Sequence, residues 1–123
     1  MGTVLVVDDD QYLRDVLTFM LKRLGHEVSV TGSPSAALEV LATERFDLAI
    51  LDWSMPGMTG GELCERLREN PAGGDLPVMI LTGHADERTR EQALASGAGH
   101  FATKPITLAE LAAAVDGLVG SRT

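Results

Sequence analysis

Two hydrophobic rhythms alternate along the chain. Short runs of β-type residues, Val4–Val7, Glu27–Thr31, Asp47–Leu51, Val78–Leu81 and His100–Ala102, are separated by longer stretches with apolar residues at helical spacing. The first such stretch is the clearest. Leu13, Val16, Leu17, Met20, Leu21 and Leu24 fall at offsets 0, 3, 4, 7, 8 and 11, which is one stripe on a cylinder. Gly25 follows, where a left-handed residue ends a helix.

The remaining helical stretches carry their own start signals. Ser33 is placed to cap the second, with Pro34 in its first turn. In "MTGGEL" the Thr59–Glu62 spacing predicts a capping box, and Met58 and Leu63 are placed to staple across it. "ITLAEL" repeats the device with Thr107 and Glu110, and with Ile106 and Leu111. The fourth helix is expected from about Asp86 to Ser96, ending at Gly97.

The order is therefore (βα)5. "LAIL" and "VMIL" are unbroken apolar runs, as expected of strands buried on both faces. Right-handed crossovers then build an α/β fold, a doubly wound five-stranded parallel sheet. A chain of 123 residues without repeat or linker suits one domain, 1–123. It stops just after the fifth helix, so no output domain is expected within it.

Charge narrows the choice of function. With 18 acidic and 10 basic residues the net charge is −8, which argues against direct nucleic-acid binding. No apolar run approaches the roughly 20 residues of a membrane span, so no membrane insertion is expected. No secretion signal is evident, and Val6 stands where an N-myristoylation signal needs Ser or Thr. The single cysteine, Cys64, reads as a small buried helix residue, and its isolation suits a reducing cytoplasm.

One local feature opposes stability. Strand one runs straight into Asp8, Asp9 and Asp10, three adjacent carboxylates. In open α/β sheets ligands bind beyond the carboxyl ends of the strands. Asp8 and Asp9 end strand one, Asp52 ends strand three, Thr82 and Gly83 end strand four, and Lys104 and Pro105 follow strand five. Clustered carboxylate oxygens suit a hard cation such as Mg²⁺, which offsets their repulsion. Asp10 is expected to cap the first helix. Lys104 and the Thr82 hydroxyl suit a phosphate, and Asp52 is a candidate nucleophile for an aspartyl-phosphate intermediate.

"VVDDD", "DWSMPGMTG", "LTGHA" and "KP", in this order and spacing, resemble a response-regulator receiver domain over essentially the whole chain. The resemblance implies a flavodoxin-like strand order of 2-1-3-4-5 and a signalling switch in a two-component phosphorelay. It implies Asp52 as phosphoryl acceptor, with Mg²⁺ held by Asp8, Asp9, Asp52 and the Ser54 carbonyl. It implies that Lys104, with a cis bond to Pro105, binds a phosphoryl oxygen, that Thr82 and Phe101 switch, and that Gly83 leaves room for the phosphoryl group. Ser54 and His84, two residues past Asp52 and Thr82, are expected to tune the phosphoryl lifetime. The implied partners are a sensor histidine kinase or a histidine phosphotransfer domain, and a downstream protein that reads the α4–β5–α5 face. Such a chain hydrolyses its own acyl phosphate and turns over no external substrate.

The chain departs from the family in having Thr59 where Asp is common, Phe101 in place of Tyr, and no acidic pair before strand five. The last departure argues against the dimer typical of the DNA-binding class. Three rivals remain. A haloacid-dehalogenase-type phosphatase would use Asp8 as nucleophile within Asp8–Asp10, but Tyr12 is unusual there and no cap domain is apparent. A flavodoxin-like binding module needs a hydroxyl- and glycine-rich phosphate loop, where this chain has carboxylates. A scaffold receiver that is never phosphorylated has no need of the full acid set.

Overall fold

The computed structural model describes residues 2–69, 74–83 and 86–120. Five strands and five helices alternate: β1 (Thr3–Val7), α1 (Gln11–Arg23), β2 (Glu27–Thr31), α2 (Pro34–Thr43), β3 (Leu48–Asp52), α3 (Gly60–Glu69), β4 (Val78–Thr82), α4 (Glu87–Ala95), β5 (His100–Thr103) and α5 (Leu108–Gly120). The sheet is parallel with order β2-β1-β3-β4-β5. β3 and β4 are buried along their whole length, as their unbroken apolar runs require.

Successive strand residues feed opposite faces. Val4, Val6, Leu48, Ile50, Met79 and Leu81 pack with Leu17 and Leu21 of α1 and Leu111 and Val115 of α5. Leu5, Val7, Ala49, Leu51, Val78 and Ile80 pack with Leu41 of α2, Leu63, Cys64 and Leu67 of α3 and Ala93 of α4. Truncating a fully buried leucine such as Leu51 costs about 3 kcal/mol at such sites.

The helix ends follow the capping chemistry. Asp10, Ser33 and Asp86 cap α1, α2 and α4 through their side chains. Both capping boxes are closed in both directions, Thr59 with Glu62 and Thr107 with Glu110, at 2.9–3.1 Å. Gly25 and Gly97 take φ of 94° and 104° after α1 and α4, where a side chain would be strained.

Two expectations shift. The strand bounds move by one residue: β3 runs from Leu48 and includes Asp52, which pairs with Leu81 across the β3–β4 ladder, while β1 gains Thr3, β4 gains Thr82 and β5 gains Thr103. On α1 only Leu17 and Leu21 are fully buried; Leu13, Val16, Met20 and Leu24 are half-buried at the margins of the stripe.

Candidate functional site

β1 delivers Asp8 to the carboxyl edge of the sheet, where the chain has just left the ladder. Every polar atom of Asp8 is engaged. Its N–H donates to the Thr31 carbonyl at 3.2 Å, and its own carbonyl accepts from Arg14 Nη1 at 2.8 Å. Oδ1 accepts from the Asp10 N–H at 2.9 Å, and Oδ2 accepts from Lys104 Nζ at 3.1 Å. Asp10 turns the other way and accepts from the Tyr12 N–H at 2.9 Å. The aspartate run thus divides its work: Asp10 starts α1, while Asp8 faces the site with the exposed Asp9 beside it.

Asp52 closes β3 and is 7 % exposed. Its Oδ1 accepts from Lys104 Nζ at 3.0 Å, and among the described residues no hydrogen-bond donor reaches its Oδ2. One carboxylate oxygen each from Asp8, Asp9 and Asp52 lie within 4.8 Å of one another. Lys104 is positioned from β4: its backbone N–H donates to the Thr82 carbonyl at 2.7 Å, and its bond to Pro105 is cis.

The electrostatics are unbalanced. Burial raises the Asp52 carboxyl above its ordinary value, the Asp8 and Asp9 charges push the same way, and the Lys104 contact only partly opposes them. For Lys104, burial works against the charge, yet the Asp52 and Asp8 carboxylates outweigh it and raise the ammonium above its usual value. Among the described residues one ammonium faces three carboxylates. An all-oxygen, convergent, under-neutralised set fits a hard dication such as Mg²⁺.

Thr82 is 1 % exposed at the end of β4, in register with Thr103, and Gly83 follows it at the surface. Phe101 pairs with Ile80, leans on the α3–α4 side of the core and is half-buried. It lines a groove of about 740 Å³ with Arg90, His100, Ile106 and Leu118, between α4 and α5. Ser54 is exposed beside Asp52, and His84 lies outside the described residues. Cys64 is fully buried, and burial raises its thiol.

Two features were missed in the sequence. One is Arg14. The other is the glycine pair Gly60–Gly61, which lets the start of α3 approach the end of β3. A Cβ on Gly60 would collide with the Asp52 carbonyl, and one on Gly61 would lie 2.8 Å from the Trp53 ring. The "TGG" run was the available signal.

A family model described as the response regulator receiver domain matches residues 4–116. The phosphate regulon transcriptional regulatory protein PhoB of Rhizobium meliloti is 38% identical over 117 residues, which are 94% of this chain and 51% of PhoB. The chain therefore spans about half the length of that relative. Chemotaxis protein CheY4 of Vibrio cholerae superposes with a TM-score of 0.91 at 29% identity, covering 96% of this chain and 98% of CheY4. The receiver domain of sensor histidine kinase PA1611 from Pseudomonas aeruginosa, solved with a magnesium ion coordinated in its active-site cleft, gives 0.89 at 26% identity and covers 97% of this chain and 98% of its own. The fold, the acid cluster beside Lys104 and the family match agree: the chain belongs to the response-regulator receiver family.

Proposed function

We propose that Asp52 is the phosphoryl acceptor of this signalling switch. The observation that carries the reading is its carboxylate: held by Lys104 through Oδ1, with no donor to Oδ2 among the described residues, beside two further carboxylates. Oδ2 attacks the phosphorus of a phosphohistidine. The new O–P bond forms as the P–N bond breaks, and the electron pair leaves with the imidazole. The Lys104 ammonium donates to a phosphoryl oxygen, and the Thr82 hydroxyl closes on another. Gly83 leaves room for the group. Asp8, Asp9, Asp52 and the Ser54 carbonyl would hold Mg²⁺, which supplies positive charge to the phosphoryl oxygens when bound. The ion seen in the PA1611 receiver supports this assignment.

The modification adds roughly −1.5 to −2 charge at the end of β3. Thr82 moves towards it, Phe101 fills the space behind, and the α4–β5–α5 face changes shape for a partner. α4 suits this role: among the described residues it buries only Ala93, against five buried residues on α3. Water then hydrolyses the acyl phosphate, with Ser54 and His84 setting the rate. His84→Ala is expected to change the dephosphorylation rate without slowing phosphorylation. The chain serves as one receiver unit over 1–123, acts on no external substrate and works in the cytoplasm. Among the described residues no helix is long and apolar enough to cross a membrane.

The donor is a sensor histidine kinase or histidine phosphotransfer domain. Tyr12 and Phe19 are 72 % and 66 % exposed on α1, and Tyr12 lines a groove of about 370 Å³ that runs past Val16, Pro105 and Ile106 to Lys104. Such apolar anchors suit a helical donor. Phe19→Ala should slow transfer from the phosphohistidine donor several-fold and spare labelling by acetyl phosphate. The phosphatase alternative, with Asp8 as nucleophile, finds no support in the comparisons.

The test is transfer of a radiolabelled phosphoryl group from a phosphohistidine donor. The wild-type chain should take up the label and Asp52→Asn should take up none. Equal labelling of both would refute the assignment.

A further inference from the structure

The acid edge depends on a residue that is neither an acid nor a neighbour of the phosphoryl acceptor. β1 and β2 are in register as Val7↔Thr31, and the next rung, Asp8 N–H to the Thr31 carbonyl, is made. The rung after it would run from the Ser33 N–H to the Asp8 carbonyl. It is not formed among the described residues, because the chain turns at Gly32 and Ser33 becomes the cap of α2. A carbonyl beside a 2 %-exposed side chain has thus lost its strand partner.

Arg14 replaces that partner. Its guanidinium reaches from the first turn of α1 across the loop and donates to the Asp8 carbonyl at 2.8 Å. No carboxylate lies within ion-pair distance of it among the described residues. Gly32 makes the reach possible: a Cβ there would lie 3.1 Å from Nη1 and 3.6 Å from Cζ. A guanidinium directed at a carbonyl, in a channel left open by a glycine, positions backbone rather than pairing charge.

We infer that Arg14 is the positioning residue of the acid cluster, pinning the Asp8 carbonyl so that the Asp8 and Asp9 carboxylates converge with Asp52. The inference rests on reading that cluster as the Mg²⁺ site. Its signature is a loss of metal affinity in the folded protein, since partners that orient metal ligands are commonly worth a factor of about 10 in affinity.

The experiment is a Mg²⁺ titration of the intact chain, read by fluorescence of Trp53, the single tryptophan, and repeated by calorimetry. It is run well below the melting temperature of each variant. Arg14→Met, which keeps the stem and removes the donors, should raise the Mg²⁺ midpoint about 10-fold. Arg14→Lys, which keeps one charged donor, should recover most of that loss. Gly32→Ala should move the midpoint in the same direction by less. Arg23→Gln, an exposed arginine in the last turn of the same helix, should leave it unchanged. If Arg14→Met fails to fold, Gly32→Ala against wild type still decides. A wild-type response with unchanged midpoints in Arg14→Met and Gly32→Ala overturns the role of Arg14 alone. A wild-type chain with no Mg²⁺ response overturns the metal site and Arg14's role together.

Discussion

β3 is bounded by two aspartates that live in different worlds. Asp47, just before it, is half-exposed and gives its carboxylate to the Thr3 N–H at 2.9 Å. Close by, the Gly2 N–H donates to His26 Nδ1, so the amino edge of the sheet satisfies its backbone donors one by one. Asp52, five residues on, is buried beside two other carboxylates, and among the described residues one ammonium, Lys104, pairs with it and with Asp8. The same side chain secures the fold at one end of the strand and strains against it at the other. Burying uncompensated charge is tolerated where a site needs it.

Removing a carboxylate from each end should break the comparison most sharply. Asp9→Ala is expected to weaken Mg²⁺ binding by at least about 10-fold, while Asp47→Ala leaves it unchanged. Calorimetry checks both. Equal loss in the two variants would mean that the acids act through the overall negative field and not as a site.

Acidification should come next in size. Burial raises the Asp52 carboxyl above its ordinary value, so on acidification Mg²⁺ affinity should start to fall before the wild-type fold loses stability. Asp52→Asn should abolish that early phase.

The smallest effects have opposite signs. Because folded Asp52 holds its proton more tightly than the unfolded chain does, its contribution to stability is full at low pH and lost as pH rises through the folded value. At neutral pH without Mg²⁺, Asp52→Asn should therefore raise Tm by about 2–4 °C. Asp47→Ala leaves the Thr3 donor without its acceptor and should lower Tm by a similar amount, corresponding to about 1 kcal/mol. Saturating Mg²⁺ should cancel the gain in Asp52→Asn. Thermal melts with and without chelator decide the signs.

How much of this could be read from the sequence follows from the range of the interactions. Capping pairs such as Thr107–Glu110 act over three residues, and α1's stripe repeats at a fixed period, so both are written locally. The acids and Lys104 were legible because the fold puts strand ends together, and a strand end is a sequence position. The contacts that were not legible run from long side chains to distant backbone. Arg14 reaches the Asp8 carbonyl, and Arg68 reaches the carbonyls of Leu76 at 2.6 Å and Gly97 at 2.7 Å. Neither has a spacing rule. Each meets a glycine, Gly32 or Gly97, whose missing side chain leaves the space. The contact of the Trp53 ring with Gly61 at the start of α3 likewise follows from packing and has no spacing rule.

The most direct measurement is the location of the phosphoryl group after exposure to acetyl phosphate and Mg²⁺, trapped by borohydride reduction and mapped by peptide mass spectrometry. The modification is expected on Asp52 and nowhere else. A reduced Asp8 or Asp9, or a wild-type chain that takes up no phosphoryl group with Mg²⁺ present, would contradict the reading of β3's carboxyl end as a phosphoryl-acceptor site.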